Sequence, residues 1–347
     1  MNQRVVGGRA PTLKEIAERA EVHVSTVSRV LRQSEPPDGW SESAQRIKDI
    51  AAELGYQPNL AAASLRTRRS MTIGLVMPRL TDGVIATMFE GVEISARAAG
   101  YSVLLSSPQD DMDAQRAAIE LLASRQVDGL LLSSLHRGAE GFLESLNLGQ
   151  LPIVVFNRHA DLDVPSVTCD DRAGGRLAAE HLIELGHRRV GIVAGPEHAS
   201  TAHDRVVGFL EAAASAKIKV RPKHIVRSGF GVQAGITAGH AMLRTADRPT
   251  AVFTVDDTSS IGMLGAARDL ALSVPDDLSL VGYNDIPIVG QLPTPLTSMR
   301  SPVLQMGALA FEKLLNLIEG GRSESLTLPV ELVARASSGP PHRAARV

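Results

Sequence analysis

Arg29 and Ser25 stand four residues apart in the run Val24-Ser25-Thr26-Val27-Ser28-Arg29-Val30-Leu31. On a helix that spacing puts both on one face, opposite Val27, Val30 and Leu31. A guanidinium fork there matches guanine O6 and N7, or two phosphate oxygens. Val24 offers a methyl surface to thymine. Thr12 and Thr26 fall at helix N-termini, where hydroxyls and free N–H groups favour phosphate. A second set of polar residues follows apolar runs. Asp82 comes after Val76-Met77-Pro78, Asp256 and Asp257 after Ala251–Val255, and Asn284 and Asp285 after Leu278–Tyr283. Arg205 lies near the start of the helix that follows Val190–Ala194. Polar groups at strand ends often do no more than cap the next helix. Their convergence at the carboxyl ends of parallel strands is what a small-molecule cleft needs.

The elements that must position them are of two kinds. The first 57 residues read as helices only. Thr12-Leu13-Lys14-Glu15 is a capping-box pattern followed by apolar residues at helical spacing. A break at Glu21-Val22-His23 precedes a short second helix, and a third starts near Ser41 and stops at Gly55. Two short helices joined tightly with a third behind them make a helix-turn-helix core. Helix spacing alone fits a three-helix bundle for protein contact equally well. Residues 58–70 are alanine-rich and end in Arg66, Arg68 and Arg69, a short helix or a linker. From residue 71 short apolar runs alternate with amphipathic stretches in two successive blocks, which predicts two doubly wound α/β lobes.

Length and composition exclude several classes. The 347 residues suffice for two or three domains. Residues 1–69 carry 11 Lys and Arg against 8 Asp and Glu, and the remainder 25 against 30, a mildly basic head on an acidic body. The single cysteine, Cys169, excludes an internal disulfide and a cysteine-based zinc site. No signal-peptide core or membrane-length apolar segment is present, so a cytoplasmic protein is expected. There is no G-x-G-x-x-G after a strand, no phosphate loop, no G-x-S-x-G and no H-E-x-x-H. His181 and His187, six apart, are a poor metal pair. No enzyme, catalytic residue, cofactor or metal is therefore expected.

The strings Thr12-Leu13-Lys14-Glu15-Ile16-Ala17, Ser25-Thr26-Val27-Ser28-Arg29-Val30-Leu31 and Leu54-Gly55-Tyr56-Gln57-Pro58-Asn59 resemble the headpiece of the lactose-repressor/galactose-repressor family. His181–Arg189, Val193-Ala194-Gly195-Pro196, Val281-Gly282-Tyr283-Asn284-Asp285 and Pro295-Leu296-Thr297 resemble its core strings. The resemblance implies an all-α helix-turn-helix headpiece and an α/β periplasmic-binding-protein-like (type I) core of two doubly wound lobes. It implies a ligand-responsive regulator, a repressor by default, whose homodimer binds a palindromic operator on double-stranded DNA, with a sugar or related metabolite in the cleft. By position it assigns base reading to Val24 and Ser25, groove anchoring to Arg29, backbone contact to Asn59 and a minor-groove wedge to Leu65, with Arg66 adding phosphate affinity. Leu65 packing on its own lobe is the alternative. It assigns effector contacts to Arg205, Phe230, Asp256, Asn284 and, more weakly, Thr201.

The expected organisation is a headpiece at 12–58, a hinge at 59–70, a core at 71–336 and a disordered tail at 337–347. The N-lobe is placed at about 71–168 plus 298–322 and the C-lobe at about 169–295 plus 323–336, with crossings near Thr168–Asp170, Thr294–Arg300 and Arg322–Leu326. There are departures from the family pattern. Glu21 replaces a turn glycine, His23 replaces a Ser or Thr cap, and Asp82-Gly83-Val84-Ile85 replaces an Asn-Pro-aromatic run. The last change weakens aromatic stacking on a sugar or purine from one side of the cleft.

Overall fold

The computed structural model describes residues 11–31, 39–56, 69–139, 141–160 and 162–342. The chain divides into two compact units, 1–70 and 71–347. In the first, α1 (Leu13–Ala20) opens on a complete capping box. Thr12 Oγ1 accepts from the Glu15 N–H at 3.3 Å, and Glu15 Oε2 accepts from the Thr12 N–H at 2.7 Å. It stops at Glu21 with φ 57°, the left-handed cap that glycine usually fills. A side chain there costs roughly 1 kcal/mol, small enough for the surrounding contacts to tolerate. Helix α2 (Val24–Val30) opens on His23, whose Nδ1 accepts from the Ser25 N–H at 3.3 Å. An imidazole thus does the work of the expected hydroxyl cap. Helix α3 (Glu42–Glu53) is capped by Ser41. Ile16, Ala17, Ala20, Val27, Val30, Ala44, Ile47 and Ala51 form the shared core, and Trp40 packs on its edge beneath Lys48.

The second unit holds two six-stranded sheets. The first contains β1 (Thr72–Val76), β2 (Ser102–Ser106), β3 (Leu130–Leu132), β4 (Ile153–Phe156), β5 (Ser166–Cys169) and β11 (Leu326–Leu328), in the order β11-β5-β4-β3-β1-β2. The second contains β6 (Val190–Val193), β7 (Ile225–Val226), β8 (Ala251–Thr254), β9 (Ser279–Asn284), β10 (Thr297–Arg300) and β12 (Glu331–Val333), in the order β12-β10-β9-β8-β6-β7. All pairings are parallel except that of β10 with β12. Central strands such as β6 and β8 are buried throughout, because helices cover both faces, and so they read as unbroken apolar runs. Helices α4 (Gly83–Ala98), α5 (Met112–Ser124) and α10 (Val303–Ile318) belong with the first sheet; α6 (Asp171–Glu184), α7 (Ser200–Ser215), α8 (Val232–Leu243) and α9 (Asp257–Asp269) belong with the second.

Strand pairing corrects two expected crossings. Thr297–Arg300 pairs in parallel with β9, so it lies in the second sheet and the chain crosses at 301–302 rather than across 294–300. Leu326–Leu328 pairs in parallel with β5, so the chain is still in the first sheet there and returns only at 329–330, after the expected 322–326. Residues 298–300 therefore belong with the C-lobe and 323–328 with the N-lobe. These strands are three or four residues long and partly polar. Their buried hydroxyls are satisfied locally: Ser298 Oγ donates to Asp257 Oδ1 at 2.6 Å, and Thr297 Oγ1 donates to the Arg335 carbonyl at 3.1 Å.

The tail also departs from expectation, since residues 337–342 are docked rather than disordered. Ser337 is fully buried; its Oγ donates to the Leu280 carbonyl at 2.6 Å and accepts from the Thr297 N–H at 2.8 Å. His187 Nε2 reaches the Gly339 carbonyl at 2.9 Å and His181 Nε2 reaches Ser338 Oγ at 2.8 Å, so both histidines hold the tail. Small residues and backbone groups dock it, which its Pro-, Arg- and Ala-rich composition concealed. Residues 343–347 lie outside the described residues. Ser337→Ala strands one buried donor and one buried carbonyl and is expected to destabilise the core by about 1–3 kcal/mol. Chemical denaturation checks this; an unchanged midpoint would mean that the tail does not dock.

Candidate functional site

In the first unit, α2 turns Val24, Ser25 and Arg29 outward together while Val27 and Val30 fill the core. Ser25 Oγ is held 2.7 Å from His23 Nδ1, so the hydroxyl has a fixed direction. Thr26 is half-buried in the first turn of α2, and the Thr12 hydroxyl is engaged in its own cap. The exposed face thus consists of a methyl surface, a hydroxyl and a guanidinium. Asn59, Leu65 and Arg66 lie outside the described residues.

In the second unit, a cleft open to solvent lies between the two sheets' lobes. Six of the seven expected residues line it: Asp82, Thr201, Arg205, Phe230, Asp256 and Asn284. Asp82 Oδ1 caps α4 through the Val84 N–H at 2.9 Å, and burial pushes its carboxyl above the ordinary range. Asp256 caps α9 through Ser259 N–H at 2.8 Å and accepts from the hydroxyls of Thr258 and Ser259. Each carboxylate is therefore both a cap and a cleft wall. Asn284 is held at φ 105°, outside the usual range for a side-chain-bearing residue, at a position where the surroundings must impose it.

Arg205 is buried and built into a network. Its Nε donates to Asp171 Oδ1 at 2.7 Å, its Nη1 to the Val255 carbonyl at 2.7 Å and its Nη2 to Asn284 Oδ1 at a long 3.5 Å, with Tyr283 beneath the guanidinium at 3.7 Å. Burial works against its charge, but the Asp171 carboxylate more than compensates and holds it protonated. Nη2, whose only hydrogen bond among the described residues is the long one, has the most capacity for a ligand.

Asp285 does not join the cleft. Its carboxylate pairs with Arg300 at 2.8 Å and Arg335 at 2.7 Å, and its backbone is left-handed at φ 54°. Sequence reasoning missed Arg79, Asp110, Asn157 and Arg158, which line the cleft from the first lobe. Arg158 Nη1 donates to Asp110 Oδ1 at 2.5 Å. Asn157 and Arg158 directly follow β4, so the strand-end rule that selected Asp82 was available for them. Cys169 is buried, and burial pushes its thiol up to about 12, which leaves it unsuited to act as a nucleophile.

Asp257, beside the cleft residue Asp256, is buried between Ser298 Oγ at 2.6 Å and the Ile286 N–H at 2.9 Å. Burial pushes its carboxyl up to about 7. A folded-state value raised above that of the unfolded chain means stability that is present below about pH 4 and is lost as pH rises through about 7. Asp257→Asn keeps an acceptor for Ile286 and offers Nδ2 to Ser298. It is expected to flatten the pH dependence over that window and to be the more stable protein at pH 8, by up to about 4 kcal/mol. Melting midpoints at several pH values check this; parallel curves for the two proteins would contradict it.

A helix-turn-helix unit with an exposed polar face on α2, carried in one chain with a two-lobed α/β core that holds a polar cleft, defines a regulator of the DNA-binding, small-molecule-sensing class. Residues 12–59 match the family described as bacterial regulatory proteins, lacI family, and residues 179–338 match a periplasmic binding protein-like domain. The chain is 34% identical over 322 residues to the ribose operon repressor of Haemophilus influenzae, covering 92% of this chain and 96% of that one. It is 32% identical over 334 residues to the HTH-type transcriptional repressor CytR of Escherichia coli, covering 95% and 96%. Its fold superposes on the lac repressor dimer bound to operator and the anti-inducer ONPF with a TM-score of 0.86 and 25% identity, covering 95% and 100%. The chain belongs to the lacI family of bacterial regulatory proteins; it is a transcriptional regulator and not an enzyme. Among the described residues no helix is long and apolar enough to cross a membrane.

Proposed function

We propose that this cytoplasmic regulator represses transcription as a homodimer on a palindromic operator, under the control of a neutral, polyhydroxylated effector. Val24, Ser25 and Arg29 read or anchor in the major groove, with Thr12 and Thr26 near phosphate. Asn59, Leu65 and Arg66 serve the segment 59–70 as a DNA-contacting hinge. The headpiece occupies 12–58. Within the core, the exposed Ile94 on α4 and Leu304 on α10 offer apolar surface for a second copy.

The observation that carries the effector reading is the make-up of the cleft. One lobe supplies Asp82, Asp110 and Arg158; the other supplies Arg205, Asp256 and Asn284. A ligand touching both sets favours one angle between the lobes, and that preference is the differential affinity a switch requires. Asp82 and Asp256 are acceptors for hydroxyls and repel anions, while Arg158 is already matched by Asp110, Arg205 by Asp171, and Arg79 lies close enough to Asp82 to interact with its charge. Phe230 supplies one apolar wall. Monosaccharides fit this pattern, and the relative named for a ribose operon is in keeping with it.

The test is a thermal-shift panel of sugars, sugar phosphates, nucleobases and organic acids on the full-length protein, followed by operator binding with each hit. A neutral polyol is expected to raise the melting midpoint by mass action and to change operator affinity. Stabilisation by phosphates or acids alone would overturn the effector class.

A further inference from the structure

At one edge of the cleft, Asp110, His136 and His198 converge from distant parts of the sequence. Asp110 follows β2 and His136 follows β3, both in the first lobe, whereas His198 precedes α7 in the second. One candidate ligand atom from each lies within 4.8 Å of the others. The imidazoles stack with centroids 4.2 Å apart, and His198 Nε2 lies 3.7 Å from Asp110 Oδ1. A backbone bond across the seam, from the Arg137 N–H to the His198 carbonyl at 2.9 Å, holds the two segments together.

The Nε2 atoms of His136 and His198 are both buried and neither has a hydrogen-bond partner among the described residues. Two buried imidazole nitrogens without a hydrogen bond at one spot leave polar groups unsatisfied, which costs stability unless something binds them. We propose that Asp110, His136 and His198 form a binding site for a divalent transition metal of the zinc class, joining the two lobes.

The donor set suits that class. Two imidazoles, which are borderline ligands, beside one carboxylate favour Zn²⁺, Co²⁺ and Ni²⁺ over Ca²⁺ or Mg²⁺. Neutral imidazole is the ligating form. Tetrahedral coordination needs donors about 3.3 Å apart, so side-chain rotations of about an ångström complete the site. Arg158 opposes a nearby cation, but its charge is already matched by the Asp110 carboxylate, whose two oxygens can be shared between the guanidinium and a metal. Because the ligands come from both lobes, the ion acts as a clasp that resists their separation. This site does not depend on the effector reading, and its test needs neither effector nor DNA.

Full-length protein freed of metal with a chelator is titrated with Co²⁺, followed by visible absorption, and then with Zn²⁺ to displace it. One equivalent is expected to bind with the intense absorption of four-coordinate Co²⁺, and Zn²⁺ is expected to raise the melting midpoint. H136Q and H198Q are each expected to abolish the equimolar absorption and the Zn²⁺-dependent rise, while melting in chelator as the parent does. If one variant is unfolded in chelator, the other carries the comparison, since the two residues lie in different lobes. Absence of equimolar binding, or binding unchanged in the folded variants, overturns the site.

Discussion

Arg205→Ala is expected to produce a protein that has lost its effector response and much of its core stability. Sequence position alone argues for a clean functional variant, because a cleft arginine is a ligand group and nothing more. The geometry argues otherwise. Arg205 is buried against Asp171, and it also satisfies the Val255 carbonyl and covers Tyr283. Removing one partner of a buried pair leaves an uncompensated charge, at a cost of about 3–5 kcal/mol, far above the 0–1 kcal/mol of an exposed pair. Burial already pushes the Asp171 carboxyl up, and without Arg205 nothing comparable pulls it back. The double variant Arg205→Ala/Asp171→Asn removes the stranded charge and is expected to recover most of the lost stability. It is not expected to recover the effector response, since the donor at the cleft wall is still missing. Denaturation and operator binding with effector, measured on the single and double variants, separate the two roles. An Arg205→Ala protein as stable as the parent would contradict the network, and a double variant that responds normally would remove Arg205 from the site.

Why position and geometry disagree about Arg205 shows what the sequence carries. Alternating apolar runs and amphipathic stretches announce a doubly wound core because buried parallel strands need no polar face, and β6 and β8 are instances. The capping box at Thr12 announces α1 for an equally local reason. What stayed hidden depends on distant partners. Asp171 is named as Arg205's partner only by the packing of α6 on α7. Asn284 and Asp285 are equally polar neighbours at one strand end, yet successive positive φ values send one into the cleft and the other to Arg300 and Arg335. Strands β10 to β12 are too short and too polar to show a period, so the returns between lobes were misplaced by a few residues. Asp110, His136 and His198 have no motif spacing at all, and only folding brings them together.

The helix packing that places Arg205 makes the second large effect predictable. Helices α6 and α7 cross so closely that each uses a glycine where the other presents backbone. A Cβ on Gly175 would lie 1.9 Å from the Arg205 carbonyl oxygen, and one on Gly208 the same distance from the Arg172 oxygen. Backbone cannot rotate aside as a side chain can, so the helices themselves must separate. Gly175→Ala gains about 0.5–1 kcal/mol of helix propensity, but overpacking of this kind costs about 1–3 kcal/mol or more, and the second effect wins. Asp171 and Arg205 sit on the two helices being forced apart, so effector affinity is expected to fall along with stability. Gly265 on α9 supplies the control. Its nearest neighbour would be Ile236 Cγ1 at 3.8 Å, ordinary contact, so Gly265→Ala has only the propensity term and is expected to stabilise. Two substitutions of the same chemistry, both on helices, are thus expected to shift the melting midpoint in opposite directions. A Gly175→Ala protein that melts at or above the parent would show that the α6–α7 crossing is looser than the structure has it, and Arg205 would then be positioned by Asp171 alone.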